Sequence, residues 1–173
     1  MNIRIDLNLD SINAAVREVE DYEKALGRRV EELRDRLGAI GYEIAVEQFG
    51  SAMYDGTNDV YVDLSKDRNR LIIRADGEAV LFIEFGTGVR NPEHPMQGEV
   101  SGVVGHGQYG YGLGRLESWR YPMEHGAGTG GEPDPKHPGY YITHGNPANM
   151  AMYNAAQDMR KQVLQIAREV FQI

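Results

Sequence analysis

Ile12, Val19, Leu26, Leu33 and Ile40 recur every seven residues, and Val16, Val30, Leu37 and Ile44 form an adjoining row four positions on. A helix places such positions on one face, so residues 10–49 are expected to be one long amphipathic helix, with Asp10 or Ser11 as its N-cap and Gly50 as its stop. Glu23 interrupts the second row, and Gly27, Gly38 and Gly41 weaken the helix, which allows a bend at Gly27 or between Gly38 and Gly41. Unbroken, the helix would run about 60 Å at 1.5 Å per residue. A single domain of this size has a radius of gyration of only about 16 Å. The apolar stripe therefore either bends onto its own sheet or packs on another subunit.

The chain has 173 residues, which is most simply one domain spanning 1–173 with a real hydrophobic core. It contains no cysteine, which excludes disulfides and thiolate metal sites. The N-terminal Met1-Asn2-Ile3-Arg4-Ile5-Asp6 lacks the apolar core of a signal peptide, and no stretch approaches the length of a membrane span, so a soluble, intracellular protein with no membrane partner is expected. The formal charge is −8, and the basic residues are scattered among acids, which argues against a dedicated DNA reader.

Residues 59–85 read as an antiparallel β-meander of three strands. Val60, Val62 and Leu64 alternate with polar neighbours, Lys66 to Asn69 turn the chain, and Leu71 to Ile73 follow. Asp76-Gly77 has the composition of a two-residue hairpin turn, leading into an apolar strand from Glu78 to Phe85. Glu84 near the end of that strand is read either as a solvated edge carboxylate or as a salt-bridge partner for a neighbouring subunit. Residues 139–144 have strand composition and are expected to join the meander as a fourth strand. Asn146-Pro147 reads as an N-cap followed by proline at the first helical position, opening a C-terminal helix over 147–171 that packs on the sheet. The fold class is thus α+β.

The segment 86–138 holds thirteen of the 21 glycines and six of the seven prolines, too many breakers for ordinary elements, and reads as an extended loop. Its aromatic residues Tyr109, Tyr111, Trp119 and Tyr121, with Arg120 beside them, are candidate anchors for a partner; the same residues can instead pin the loop to its own domain. Leu116 to Tyr121 reads as a short strand. Gly105 to Gly110 has the glycine spacing of a dinucleotide-binding turn, but no helix follows it, so no cofactor is assigned. His94, His106, His125, His137 and His144 show no metal-ligand spacing, and Thr87, Ser101 and Ser118 stand in no nucleophile pattern, so no metal and no catalytic residue is assigned.

Leu81-Phe82-Ile83-Glu84-Phe85-Gly86-Thr87-Gly88 resembles the strand and turn of the neck and tail-completion (head-tail joining) proteins of lambda-like long-tailed bacteriophages. Gly145-Asn146-Pro147-Ala148-Asn149 is similar to that family's entry to its last helix, although Met150-Ala151 stands where Pro-Phe is common. Asp55-Gly56-Thr57 resembles its turn after the first helix. The resemblance covers residues 10–88 and 138–170. It implies a non-enzymatic, structural virion protein that forms a sixfold or twelvefold connector ring. One face would meet a portal or head-completion protein and the other a tail-terminator or tail-tube protein, with DNA passing through the lumen without sequence-specific binding. Glu84 would then end a core strand and launch an assembly loop, with Gly86 and Gly88 supplying backbone freedom. Two other readings stand beside it: a metal-dependent hydrolase using His94, His106 or His137, and a soluble adaptor that binds a partner through Trp119.

Overall fold

The first helix runs unbroken. In the computed structural model, which describes residues 6–86, 118–126, 128, 131–146 and 148–172, α1 spans Leu9–Gly50, 42 residues. The cap lies slightly earlier than the sequence suggests: Asn8 Oδ1 accepts from the Ser11 amide at 2.8 Å, and Ser11 Oγ accepts from the Asp6 amide at 2.8 Å. At the other end Ser51 is the C-cap, and Asn58 Nδ2 donates to the Phe49 carbonyl at 2.8 Å, occupying one of the acceptors that a helix end leaves over.

After α1 come strands β1 (Tyr61–Asp67) and β2 (Arg70–Asp76), paired antiparallel from Tyr61 opposite Asp76 to Asp67 opposite Arg70. Their connection is Arg68-Asn69, with Arg68 in the left-handed region at φ 50°. The hairpin expected at Asp76-Gly77 is absent. Asp76 closes β2, and Val80–Phe85 is a short helix, α2, rather than the third strand of a meander. The residues permit both readings, since a six-residue apolar run fits a doubly buried strand or one face of a buried helix. A distant carboxylate decides between them: Asp59 accepts from the amides of Glu78 at 2.7 Å and Ala79 at 2.9 Å, capping the turn that starts α2. Gly77 is required there by its φ of 140° and by the 2.8 Å at which a Cβ would meet the Asp59 carbonyl oxygen.

The second sheet is separate. Strands β3 (Trp119–Pro122), β4 (Glu132–Pro133) and β5 (Tyr140–Thr143) pair antiparallel in the order β3-β5-β4. The late strand thus pairs with the strand read at Leu116 to Tyr121, not with β1 and β2, because Tyr141 and Ile142 find partners on both sides within this sheet. The last helix, α3 (Ala151–Phe171), starts four residues after the expected Pro147; the residue before it, Met150, is left-handed at φ 56°. Helix α3 returns along α1 antiparallel, with Asn154 Nδ2 on Gln48 Oε1 at 2.8 Å near one end and Arg36 Nη2 on Glu169 Oε2 at 2.5 Å near the other. The architecture is α+β, as expected, with the C-terminal helix packed on α1 beside the β1-β2 hairpin.

The core gathers where these elements meet. Phe49 of α1, Ala79 and Ile83 of the α2 region and Ala151 of α3 are buried together, flanked by Val60, Val62 and Ala75 from the hairpin. Glycines permit the close approach of α1 to its neighbours: a Cβ at Gly41 would lie 2.7 Å from Met159 Sδ and 2.8 Å from Ile73 Cδ1, whereas one at Gly27 would meet nothing within 4 Å. None of the helices is long and apolar enough to cross a membrane among the described residues. The contrast between the two glycines sets a test by urea denaturation. Gly27→Ala is expected to stabilise the protein by about 0.5–1 kcal/mol through helix propensity alone, and Gly41→Val to destabilise it by about 1–3 kcal/mol through overpacking.

Candidate functional site

The two stretches that carry most of the phage-family resemblance are packed against each other. Glu84 is only 6% exposed, so it is neither a solvated edge residue nor available at a surface. Its carboxylate accepts from the amides of Met152 at 3.0 Å and Tyr153 at 3.2 Å, at the start of α3. The cap that Asn146 was expected to supply therefore comes from sixty-eight residues away in the chain. Asn146 instead donates from Nδ2 to the Phe82 carbonyl at 3.0 Å. The amides of Asn149 and Met150 donate to the carbonyls of Ile83 and Glu84 at 2.9 and 3.0 Å. The last carbonyls of α2 thus take the amides just before α3, and the Glu84 side chain takes the first amides within it, which is how two helix ends can be buried face to face. Gly86, buried at φ 74°, ends α2. Thr87, Gly88 and Pro147 lie outside the described residues.

Alongside this junction opens a cleft of about 480 Å³. One wall is the segment between α1 and β1. Within it, Tyr54 stacks on Phe82 with ring centroids 6.5 Å apart. The other wall is the three-stranded sheet, which contributes Trp119 and Tyr121. Hydrogen bonds clamp the two walls together. Tyr121 Oη donates to the Asp55 carbonyl, Thr143 Oγ1 donates to Asp55 Oδ2, and Thr57 Oγ1 and N both donate to the His125 carbonyl, at 2.6 and 2.8 Å. The Asp55-Gly56-Thr57 turn is therefore the bridge between the helical body and the second sheet. Only the faint family likeness at this turn pointed to it in the sequence.

The electrostatics of the cleft have one sign. Among the described residues, Asp55, Asp59, Glu78 and Glu124 line it against the single imidazole of His125. Burial, with Asp55, Tyr141 and Tyr54 nearby, pushes the Tyr121 phenol up to about 12, and burial with Asp59, Asp55 and Glu78 raises Tyr54. Two amide donors hold Asp59 below its ordinary range, so it is a settled anion. Aromatic faces beside carboxylates suit a cationic group such as a lysine or arginine side chain, and repel phosphate.

The residues expected at a partner surface are thus divided. Trp119 is half-buried in the cleft wall, and Tyr121 pins its strand to the domain. Arg120 Nε reaches buried Asp134 at 2.6 Å, and the same carboxylate holds His137 Nδ1 at 2.9 Å and accepts from the Lys136 amide at 2.8 Å. These contacts, the Lys136 amide foremost, hold Asp134 below the usual carboxylate range. Tyr109, Tyr111, His94 and His106 lie outside the described residues. Among the described residues no three metal-ligating side chains converge.

No protein-family model, curated protein or solved structure matches this chain.

Burial raises the Glu84 carboxyl above its ordinary 4.5, against the lowering effect of the Met152, Tyr153 and Ala151 amides. With the folded value above the unfolded one, the folded protein holds more proton between the two, and the stability associated with Glu84 falls as pH rises through that window. Urea midpoints measured from pH 4.5 upward should therefore fall for the wild type relative to Glu84→Gln, which has no proton to lose. Glu84→Ala, which strips the cap from α3, is expected to cost about 2 kcal/mol at neutral pH.

Proposed function

We propose that this chain is a structural assembly protein, a ring-forming neck or tail-completion component that joins a phage head or portal complex to a tail. The observation that carries the reading is the first half of α1. Leu9, Ile12, Val16, Val19, Leu26 and Val30 are 40–76% exposed along one face of the helix. A contiguous apolar stripe of this size marks a protein interface. The docking of the Glu84-Phe85-Gly86 stretch on the Asn146 to Met150 stretch gives the two halves of the resemblance one shared structural reason, and so supports the same family. The net charge of −8 suits a conduit through which DNA slides without sticking. The virion is the corresponding location.

A second reading rests on the cleft: with Trp119 in its wall and carboxylates at its rim, it suits an adaptor that takes a basic segment of a partner. The hydrolase reading gains no such support from His137, whose Nδ1 is engaged by Asp134.

Complementation of a phage that lacks this protein separates assembly from catalysis. Trp119→Ala is expected to weaken each subunit or partner contact by about 2 kcal/mol and to leave unjoined heads and tails in micrographs, with the circular dichroism of the domain unchanged. Simultaneous replacement of His94, His106 and His137 by Gln should leave infectious titre largely intact. Loss of titre in a well-folded histidine variant, with the tryptophan variant active, would move a metal or catalytic role to the front.

A further inference from the structure

We infer that the cleft between the Tyr54 segment and the three-stranded sheet is a binding site for a guanidinium group, stacked on its aromatic rings and paired with the carboxylates of Glu78 and Glu124. The inference deepens the adaptor reading of the same cleft and is independent of the phage role.

Shape and surface come first. The cleft encloses about 480 Å³, inside the range of about 300–1,000 Å³ typical of ligand sites. The rings of Tyr54 and Phe82 lie within 10° of parallel with centroids 6.5 Å apart, and Phe82 is half-exposed. Trp119 and Tyr121 add two further aromatic side chains to the lining. Flat rings of this kind favour a guest that is itself flat. A guanidinium is planar, weakly hydrated and always charged, so it stacks on an aromatic face and still presents its N–H groups at the edge, whereas an ammonium is a compact and strongly hydrated point charge.

Charge is the second observation. The carboxylates that line the cleft fall into two sets among the described residues. Asp55 accepts from Thr143 Oγ1 and Asp59 from the amides of Glu78 and Ala79, so both serve the fold. Glu78 and Glu124 are exposed and stand outside those bonds, with Glu124 Oε1 3.8 Å from His125 Nε2, beyond hydrogen-bond distance. Both phenols register the negative potential: after burial, Asp59, Asp55 and Glu78 raise Tyr54, and Asp55 raises Tyr121.

Other guests fit less well. A neutral apolar molecule would take water from Glu78 and Glu124 and replace none of its hydrogen bonds, and a phosphate would be repelled. A metal ion needs several converging donors, and among the described residues no three metal-ligating side chains converge. A flat organic cation answers the aromatic lining and the carboxylates together. An arginine of a partner segment carries that group, and so do this chain's own Arg90 and Arg115; the experiment separates the two sources.

The test uses the full chain and its single tryptophan, Trp119, whose fluorescence reports on the cleft lining directly. The peptide acetyl-Gly-Arg-Gly-amide should change that fluorescence saturably, its lysine counterpart should bind about threefold or more weakly, and its citrulline counterpart, planar but uncharged, should have no effect. Glu78→Gln/Glu124→Gln should weaken the arginine peptide about fivefold, as for two partly exposed ion pairs, with circular dichroism unchanged. Added salt should weaken it as well, which checks the charge dependence without a substitution. Binding by the unaltered chain places the guest in another molecule. Binding that appears only in Arg90→Gln/Arg115→Gln shows the site filled by the chain's own arginine, which keeps the guanidinium site and removes the adaptor reading. No saturable change in either protein up to about 10 mM, an equal response to the lysine or citrulline peptide, or indifference to the Glu78 and Glu124 changes would overturn the site.

Discussion

The buried Glu84 carboxylate at the start of α3 is the interaction on which the other packing decisions depend. Helix ends carry unmatched amides and carbonyls, and burying two of them together is costly unless each supplies what the other lacks. Here α2 presents its last carbonyls to the amides that precede α3, while Glu84 reaches past them to the first amides within α3. The charge sits at the positive end of the helix dipole, which offsets part of the cost of removing it from water. Fixing α3 there also fixes Ala151 against Phe49 and Ile83, the centre of the core.

From this junction the arrangement of the cleft follows. Asp59 starts α2, Asn58 closes α1, and Asp55 and Thr57 hold the second sheet, so four polar residues within five positions tie three parts of the molecule together. Each of these side chains or backbone groups is occupied by a structural hydrogen bond. Among the described residues, the cleft is also lined by the aromatic rings of Tyr54, Phe82 and Trp119 and by the carboxylates Glu78 and Glu124. The same logic applies to Asp134, whose carboxylate engages Arg120 and His137 and organises the three-stranded sheet.

Helix α1 divides into two halves with different physics. Between Gly38 and Phe49 it packs so tightly that glycine is required where Leu71, Ile73 and Met159 approach. Towards Leu9 it carries large apolar side chains, Leu9, Ile12, Val16, Val19 and Leu26, that stay 40–76% exposed, while Ala15 among them is buried. The Arg36–Glu169 bond marks the stretch of α1 beside the end of α3, and the helix continues for more than twenty residues before it towards Leu9. Those turns are the part of the helix on which the assembly proposal rests.

The seven-residue rows of α1, the alternation in β1 and β2, and the three- and four-residue spacing of α3 were legible in the sequence because a helical or pleated period is a local property of the chain. Rise per residue against domain size left two alternatives for α1, a bend onto its own sheet or an overhang, and only the tertiary structure decided that the helix runs unbroken. The nature of Val80–Phe85, the partner of β5 and the cap of α3 were not, because each depends on a group remote in the chain: Asp59 for α2, Trp119 to Pro122 for β5, and Glu84 for α3. Glu84 read as an edge residue because a strand would have turned it outward; as part of a helix it turns inward. The sequence by itself determined the periodic elements and the surplus apolar stripe, and the tertiary structure alone decided which polar groups close the helix ends, because hydrogen bonds between distant segments leave no period to read.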